Sequence, residues 1–229
     1  VEIFAGPNLS FNYGNMFIEN YKDDFVTNKR LLKPGYTLGI GVYHRLSNRS
    51  DLNIRFHFEQ KGTRNELTTP SLPHGNKQID YFNYSYNYIT FSSAKNHEIG
   101  IRKRFVVSIG AYYSKILKIK GIGKTYDVMG TITKNEGSYE GRFFYDLTNV
   151  GTRQGFTWSP DLTSIEDHDL GLVCSLGYRL LIKKQIILIQ LQDNYGLKNI
   201  NKNNPYGLKE KNHLLTLNVS YLYNLPLKH

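Results

Sequence analysis

The chain has 229 residues with 18 Tyr, 12 Phe and alanine only at Ala5, Ala94 and Ala111, a balance that favours strands over helices within one domain. A mean hydropathy of -0.45 and the lack of any apolar run near about 18 residues exclude a spanning helix, though not a spanning barrel, whose strands meet lipid only at alternate residues. The formal charge of +10 is scattered over turns and connections without a helix-turn-helix, zinc-finger or RNP-type pattern, so nucleic-acid binding is not expected.

The first strand is predicted over residues 1–14. Val1-Glu2-Ile3-Phe4 is already strand-like, which for an exported chain places Val1 near a mature N-terminus. After a long connection (15–33), Tyr36, Leu38, Ile40 and Val42 oppose Thr37, Gly39, Gly41, Tyr43 and Arg45. A tight turn at Ser47-Asn48-Arg49-Ser50 leads to the clearest alternation in the chain. There Leu52, Ile54, Phe56 and Phe58 take one face, and Asn53, Arg55, His57 and Glu59 take the other. Successive Cβ atoms of a strand point to opposite sides, so this is a half-buried strand.

A second long connection (65–81) precedes strands predicted over 84–100 and 105–118, which are joined by Arg102-Lys103-Arg104. The longest connection, about 121–165, follows. Leu170, Leu172, Cys174, Leu176, Tyr178 and Leu180 then oppose Asp169, Gly171, Val173, Ser175, Gly177 and Arg179. Cys174 is the sole cysteine and falls on the apolar face, so no intrachain disulfide exists. Ile182-Lys183 turns the chain into a strand over 184–200, a connection over 201–211 follows, and Leu215, Leu217, Val219, Tyr221 and Tyr223 alternate with Thr216, Asn218, Ser220 and Leu222 at the end.

About eight strands with alternating short turns and long connections predict an all-β fold, a closed antiparallel up-and-down transmembrane barrel spanning 1–229 as one domain. Closure follows because backbone groups find no water in hydrocarbon. An even strand count sets both termini at the short-turn end, the periplasmic side of a bacterial outer membrane. A ring of this size holds side chains rather than a pore. Arg45, Arg55, His57, Glu59, Asp169 and Arg179 are therefore expected as an interior polar network, with Gly39, Gly41, Gly110, Gly171 and Gly177 making room for them.

Several segments in order carry a family likeness: Ile3-Phe4-Ala5-Gly6, Phe58-Glu59-Gln60-Lys61-Gly62, Tyr88-Ile89-Thr90-Phe91, Ser108-Ile109-Gly110-Ala111-Tyr112, Asp169-Leu170-Gly171 and Tyr195-Gly196-Leu197-Lys198-Asn199-Ile200. Together they resemble the PorT-like outer-membrane β-barrel family of Bacteroidota, over almost the whole chain except the longest connection. The last segment looks like the family's Tyr-x-x-Gly-Leu-x-Asn-Ile ending, slightly shortened. Ser92 and Ala111 stand where the family often has Pro, which departs from its pattern. The resemblance implies the fold and the outer membrane but no catalytic residues, and some members belong to the type IX secretion machinery.

Chemistry has few footholds. His57 and Glu59 share a strand face at acid/base distance, although an interior hydrogen-bond network explains them as well. Glu166-Asp167-His168-Asp169 is similar to the rim clusters of outer-membrane barrel enzymes but has no evident partner. The histidines show no ligand spacing, and there is no Walker loop or dinucleotide motif, so neither metal nor cofactor is expected. The expected partners are outer-membrane lipid and another envelope protein, with no small-molecule substrate. Phe143, Phe144, Tyr145, Phe156 and Trp158 make the longest connection too aromatic for a plain tether. It could extend the strands as a hairpin, cover the mouth, or serve as an interaction loop. The expected function is a non-enzymatic structural or interaction subunit of an envelope complex, with secretion among the roles the resemblance implies. A soluble lipocalin-like barrel, with Leu52, Ile54, Phe56 and Phe58 turned inward around a ligand, and a rim enzyme are the alternatives.

Overall fold

The computed structural model describes residues 1–14, 27–71, 76–127, 135–141, 166–182, 185–200 and 210–223. Ten strands lie within them: β1 (Glu2–Gly14), β2 (Thr27–Leu31), β3 (Lys33–Ser47), β4 (Ser50–Ser71), β5 (Asn76–Ile99), β6 (Phe105–Asp127), β7 (Asn135–Gly141), β8 (His168–Ile182), β9 (Gln185–Gly196) and β10 (Glu210–Leu222). Every pairing is antiparallel, and β1 pairs with both β3 and β10, so the sheet closes on itself.

The ring has eight positions. Following it from β1 gives β3, β4, β5, β6, β8, β9 and β10. The short β2 and β7 continue the courses of β3 and β8 along the upper parts of β4 and β6, respectively. Closure gives each of the eight ring strands a neighbour on both sides, which satisfies the backbone groups a single open sheet would expose. The ladder from β1 to β10 is interrupted at Gly6 and Pro7, where proline has no N–H to donate, and resumes in the same register at Asn8↔Thr216.

Strand pairing runs further than the alternation indicates. Asn65–Ser71 pairs with Asn76–Phe82, and Thr125 and its neighbours pair with β7, within stretches predicted as connections. In these extensions polar residues such as Asn65, Glu66 and Thr68 interrupt the apolar ones, so period two is not sustained there. The aromatic residues Phe143, Phe144, Tyr145, Phe156 and Trp158 lie outside the described residues.

The barrel is inverted relative to a water-soluble one. Leu38, Ile40, Phe56, Ile109 and Leu176 point outward with more than half of their surface exposed. Their neighbours Thr37, Arg55, His57, Ser108 and Ser175 are buried. Leu52, Ile54 and Phe58 share the outward face with Phe56, and Cys174 is exposed on it too. A lipocalin-type barrel requires the opposite sidedness.

Candidate functional site: the polar interior

The inner face of β4 presents Asp51, Asn53, Arg55, His57, Glu59 and Lys61 in succession, all buried, because alternate residues of one strand share one side. Each charged member meets partners from distant strands, and these meetings divide the interior into three tiers.

The lowest tier lies near the short turns. Glu98 accepts from Arg45 at 2.8 and 3.1 Å and is also paired with Arg179, which reaches Asp51 at 3.2 Å. Asn96 donates to the other oxygen of Asp51 at 2.7 Å. Arg45 sits at the rim with 47% of its side chain exposed, whereas Asp51 and Glu98 are buried. The predicted network members Arg45 and Arg179 thus meet through two carboxylates that the alternation did not single out.

In the middle tier Arg55 holds Glu2 in a fork, Nη2 to Oε1 at 2.7 Å and Nε to Oε2 at 2.9 Å. Its remaining donors reach Gln192 and Gln190 at 2.8 and 2.7 Å, so the planar guanidinium ties β4, β1 and β9 together. The guanidinium also lies 4.7 Å from the Phe4 ring centroid. Beside it is a cavity of about 10 Å³ lined by Asn53, Ser92, Ser108, Ser175 and Gln190, about the size of one water and far short of a channel.

The upper tier is centred on Lys61. Its Nζ lies 2.8 Å from Glu59 Oε1 and 3.2 Å from Asp169 Oδ2, and 4.8 and 4.5 Å from the ring centroids of Tyr88 and Tyr112. Tyr112 and Asn212 donate to the same Asp169 oxygen at 2.9 and 3.0 Å, and Thr90 donates to Glu59 at 2.6 Å. His57 Nε2 stands 3.4 Å from Glu59 Oε2, with Phe4 edge-on to its ring. Both His57 and Glu59 are enclosed, at 2% and 0% exposure. Room for this tier comes from Gly171. A Cβ there would press on the Tyr195 carbonyl and lie 2.5 Å from the Tyr112 ring.

The predicted acidic rim cluster separates. Asp169 points inward to Lys61. His168 turns outward, 2.9 Å from Asp167 and stacked on Tyr113, while Glu166 pairs with Lys198 at 2.9 Å. Among the described residues no group of three His, Cys, Asp or Glu side chains is arranged to hold a metal ion.

The outward face carries its own order. Its apolar belt is bordered toward the long-connection end by aromatic and imidazole rings. Tyr13 stacks on Tyr195 at 4.9 Å, Phe11 packs on His213 at 4.5 Å, and His213 Nε2 meets Asp193 at 2.5 Å. Tyr36 stacks on Phe58 at 5.6 Å.

No protein-family model matches the chain, and no curated protein matches it. Among solved structures it is similar to Neisserial surface protein A, with 9% identity over 97% of this chain and 96% of that one and a TM-score of 0.42. It is also similar to Ail, the attachment invasion locus protein of Yersinia pestis, with 12% identity over 96% and 95% and a TM-score of 0.38. The outer membrane protein OprG from Pseudomonas aeruginosa shares 8% identity over 98% and 96%, with a TM-score of 0.34.

Proposed function

We propose that the chain is a bacterial outer-membrane barrel, with both termini on the periplasmic side, that acts as a non-enzymatic structural or interaction subunit of an envelope complex. The inverted sidedness carries this reading. Arg55, Lys61, Glu2 and Asp169 are sealed inside, while Ile40, Phe56, Ile109 and Leu176 are displayed outside. In water such an arrangement leaves a continuous apolar girdle exposed; in a bilayer both faces are matched. The ring of Tyr13, Tyr195, Tyr113 and Tyr36 at one border of the girdle fits the level where amphipathic rings meet headgroups.

The finer assignment, to the PorT-like family and its links to secretion, rests on the motif order in the sequence. A wall explained by lipid outside and ion pairs inside leaves recognition to the ends. The aromatic stretch Phe143, Phe144, Tyr145, Phe156 and Trp158 is the first segment to test. Deleting residues 142–159 and closing the gap with a Gly-Ser turn, followed by affinity purification from native envelopes in detergent, tests it. The barrel is expected to insert and to lose its co-purifying envelope protein. Retention of that partner would move recognition to the periplasmic turns.

A further inference from the structure

The short-turn end distributes its charge unevenly between inside and outside. Among the described residues its carboxylates Asp51 and Glu98 are buried, as is Glu2 in the tier above. Asp51 and Glu98 are matched by Arg179 and the rim residue Arg45, and Glu2 by Arg55. The exposed charges that remain on the adjoining turns and strand ends are Arg49, Lys95, Arg102 and Lys103, all cationic, with no described carboxylate beside them.

Two of these turns are tied into one surface. The β3–β4 turn carries Asn48 and Arg49, and the β5–β6 turn carries Gly100, Ile101, Arg102 and Lys103. Lys103 Nζ donates to the Asn48 carbonyl at 2.7 Å, and the Glu98 backbone N–H donates to the Arg49 carbonyl at 2.7 Å. Gly100 has φ 83 and Lys103 φ 50, left-handed conformations that fold the second turn tightly and set Arg102 at its tip. Beside Arg102 stands Ile101, which is 98% exposed, and Leu46, Ile99 and Phe105 continue the apolar girdle directly below.

We infer that this linked pair of turns binds the phosphate of an anionic phospholipid in the adjoining leaflet, with Arg49, Arg102 and Lys103 as its contacts and Ile101 seated at the acyl boundary. The inference rests on the membrane reading above and names a lipid class for it. Cations bordering a lipid-facing girdle can reach headgroups while their stems stay apolar, and guanidinium groups match phosphate oxygens in a fork. Ile101 decides between a lipid and an acidic protein. An isolated apolar tip among cations suits the headgroup–acyl boundary, whereas an acidic protein surface would meet it with charge.

The test uses the whole chain in nanodiscs of phosphatidylcholine mixed with phosphatidylglycerol, reading by native mass spectrometry which lipids stay bound on release. The wild type is expected to retain phosphatidylglycerol several-fold above its bulk share. Arg49→Gln/Arg102→Gln/Lys103→Gln is expected to return to the bulk ratio, and so is the wild type in high salt. Heat-modifiable migration in gels checks that the variant is folded; should the triple variant not fold, Arg102→Gln alone carries the comparison. Insertion without enrichment, or enrichment unchanged in the variant, overturns the inference and leaves the membrane reading standing. Enrichment that is absent while an acidic envelope protein binds these turns assigns them to that protein instead. Failure to insert into discs of any composition overturns both.

Discussion

Lys61 on β4 and Asp169 on β8 are 108 positions apart, yet the Lys61 ammonium lies 3.2 Å from the Asp169 carboxylate, with Glu59 at 2.8 Å on its other side. Removing the cation would leave two carboxylates enclosed without a counter-charge. Lys61→Met is therefore expected to cost about 3–5 kcal/mol, the usual penalty for breaking a buried pair from one side. Glu59→Gln/Lys61→Met/Asp169→Asn, which removes all three charges, is expected to recover most of that loss. Reversible urea unfolding in lipid vesicles measures both.

The sidedness has a signature in one residue. Leu217 points outward, 46% exposed, between Asn218 and Thr216, which are both buried. Leu217→Arg sets a charge against lipid and is expected to destabilise insertion by roughly 2–4 kcal/mol. Leu217→Phe is expected to be nearly neutral, because lipid chains adapt where a packed interior would not. Were Leu217 inside, the larger ring would itself overpack the site at a cost of about 1–3 kcal/mol. Comparing the two variants in one folding assay separates the cases.

The strands and their faces were legible because lipid and interior impose opposite demands on neighbouring residues. From Leu52 to Phe58 that alternation is uninterrupted, and the structure follows it residue by residue. Four predicted network members, Arg55, His57, Glu59 and Asp169, are buried together for the same reason. The partners that organise them were not legible. Lys61 entered only as part of a motif, and Glu2 and Glu98 not as charges at all. Glu2 reaches Arg55 across 53 positions, and Arg55 reaches Gln192 across 137. Such meetings depend on the stagger of the closed ring, which period two does not encode. Likewise β7 (Asn135–Gly141) has glycine at 137 and 141 and no apolar alternation, so its pairing with β6 is set by the neighbour rather than by its own residues.

Among the described residues the upper and middle tiers are closely packed. Tyr88 and Tyr112 lie across the upper tier, and the cavity in the middle tier holds about 10 Å³. Planar-bilayer recordings of the purified protein are expected to show no stable porin-scale conductance. Sustained large steps abolished by bulky substitutions at Ser92 or Ser175 would place an open path through the middle tier.

Gly171 sets the spacing between β8, β9 and the Tyr112 ring that holds Asp169. Gly171→Val is expected to displace that ring and destabilise the barrel by about 1–3 kcal/mol, the range typical of overpacking. Because the Asp169 contact is disturbed with it, combining Gly171→Val with Tyr112→Phe is expected to cost less than the two changes summed. Equilibrium unfolding of the single and double variants checks the coupling.

The central claim is that the apolar face meets lipid. Its most direct measurement is the fate of the exported chain after separation of bacterial envelopes. The account predicts recovery with outer membranes, resistance to alkaline carbonate and urea washes, and release only in detergent. Recovery as a soluble monomer without detergent would contradict it.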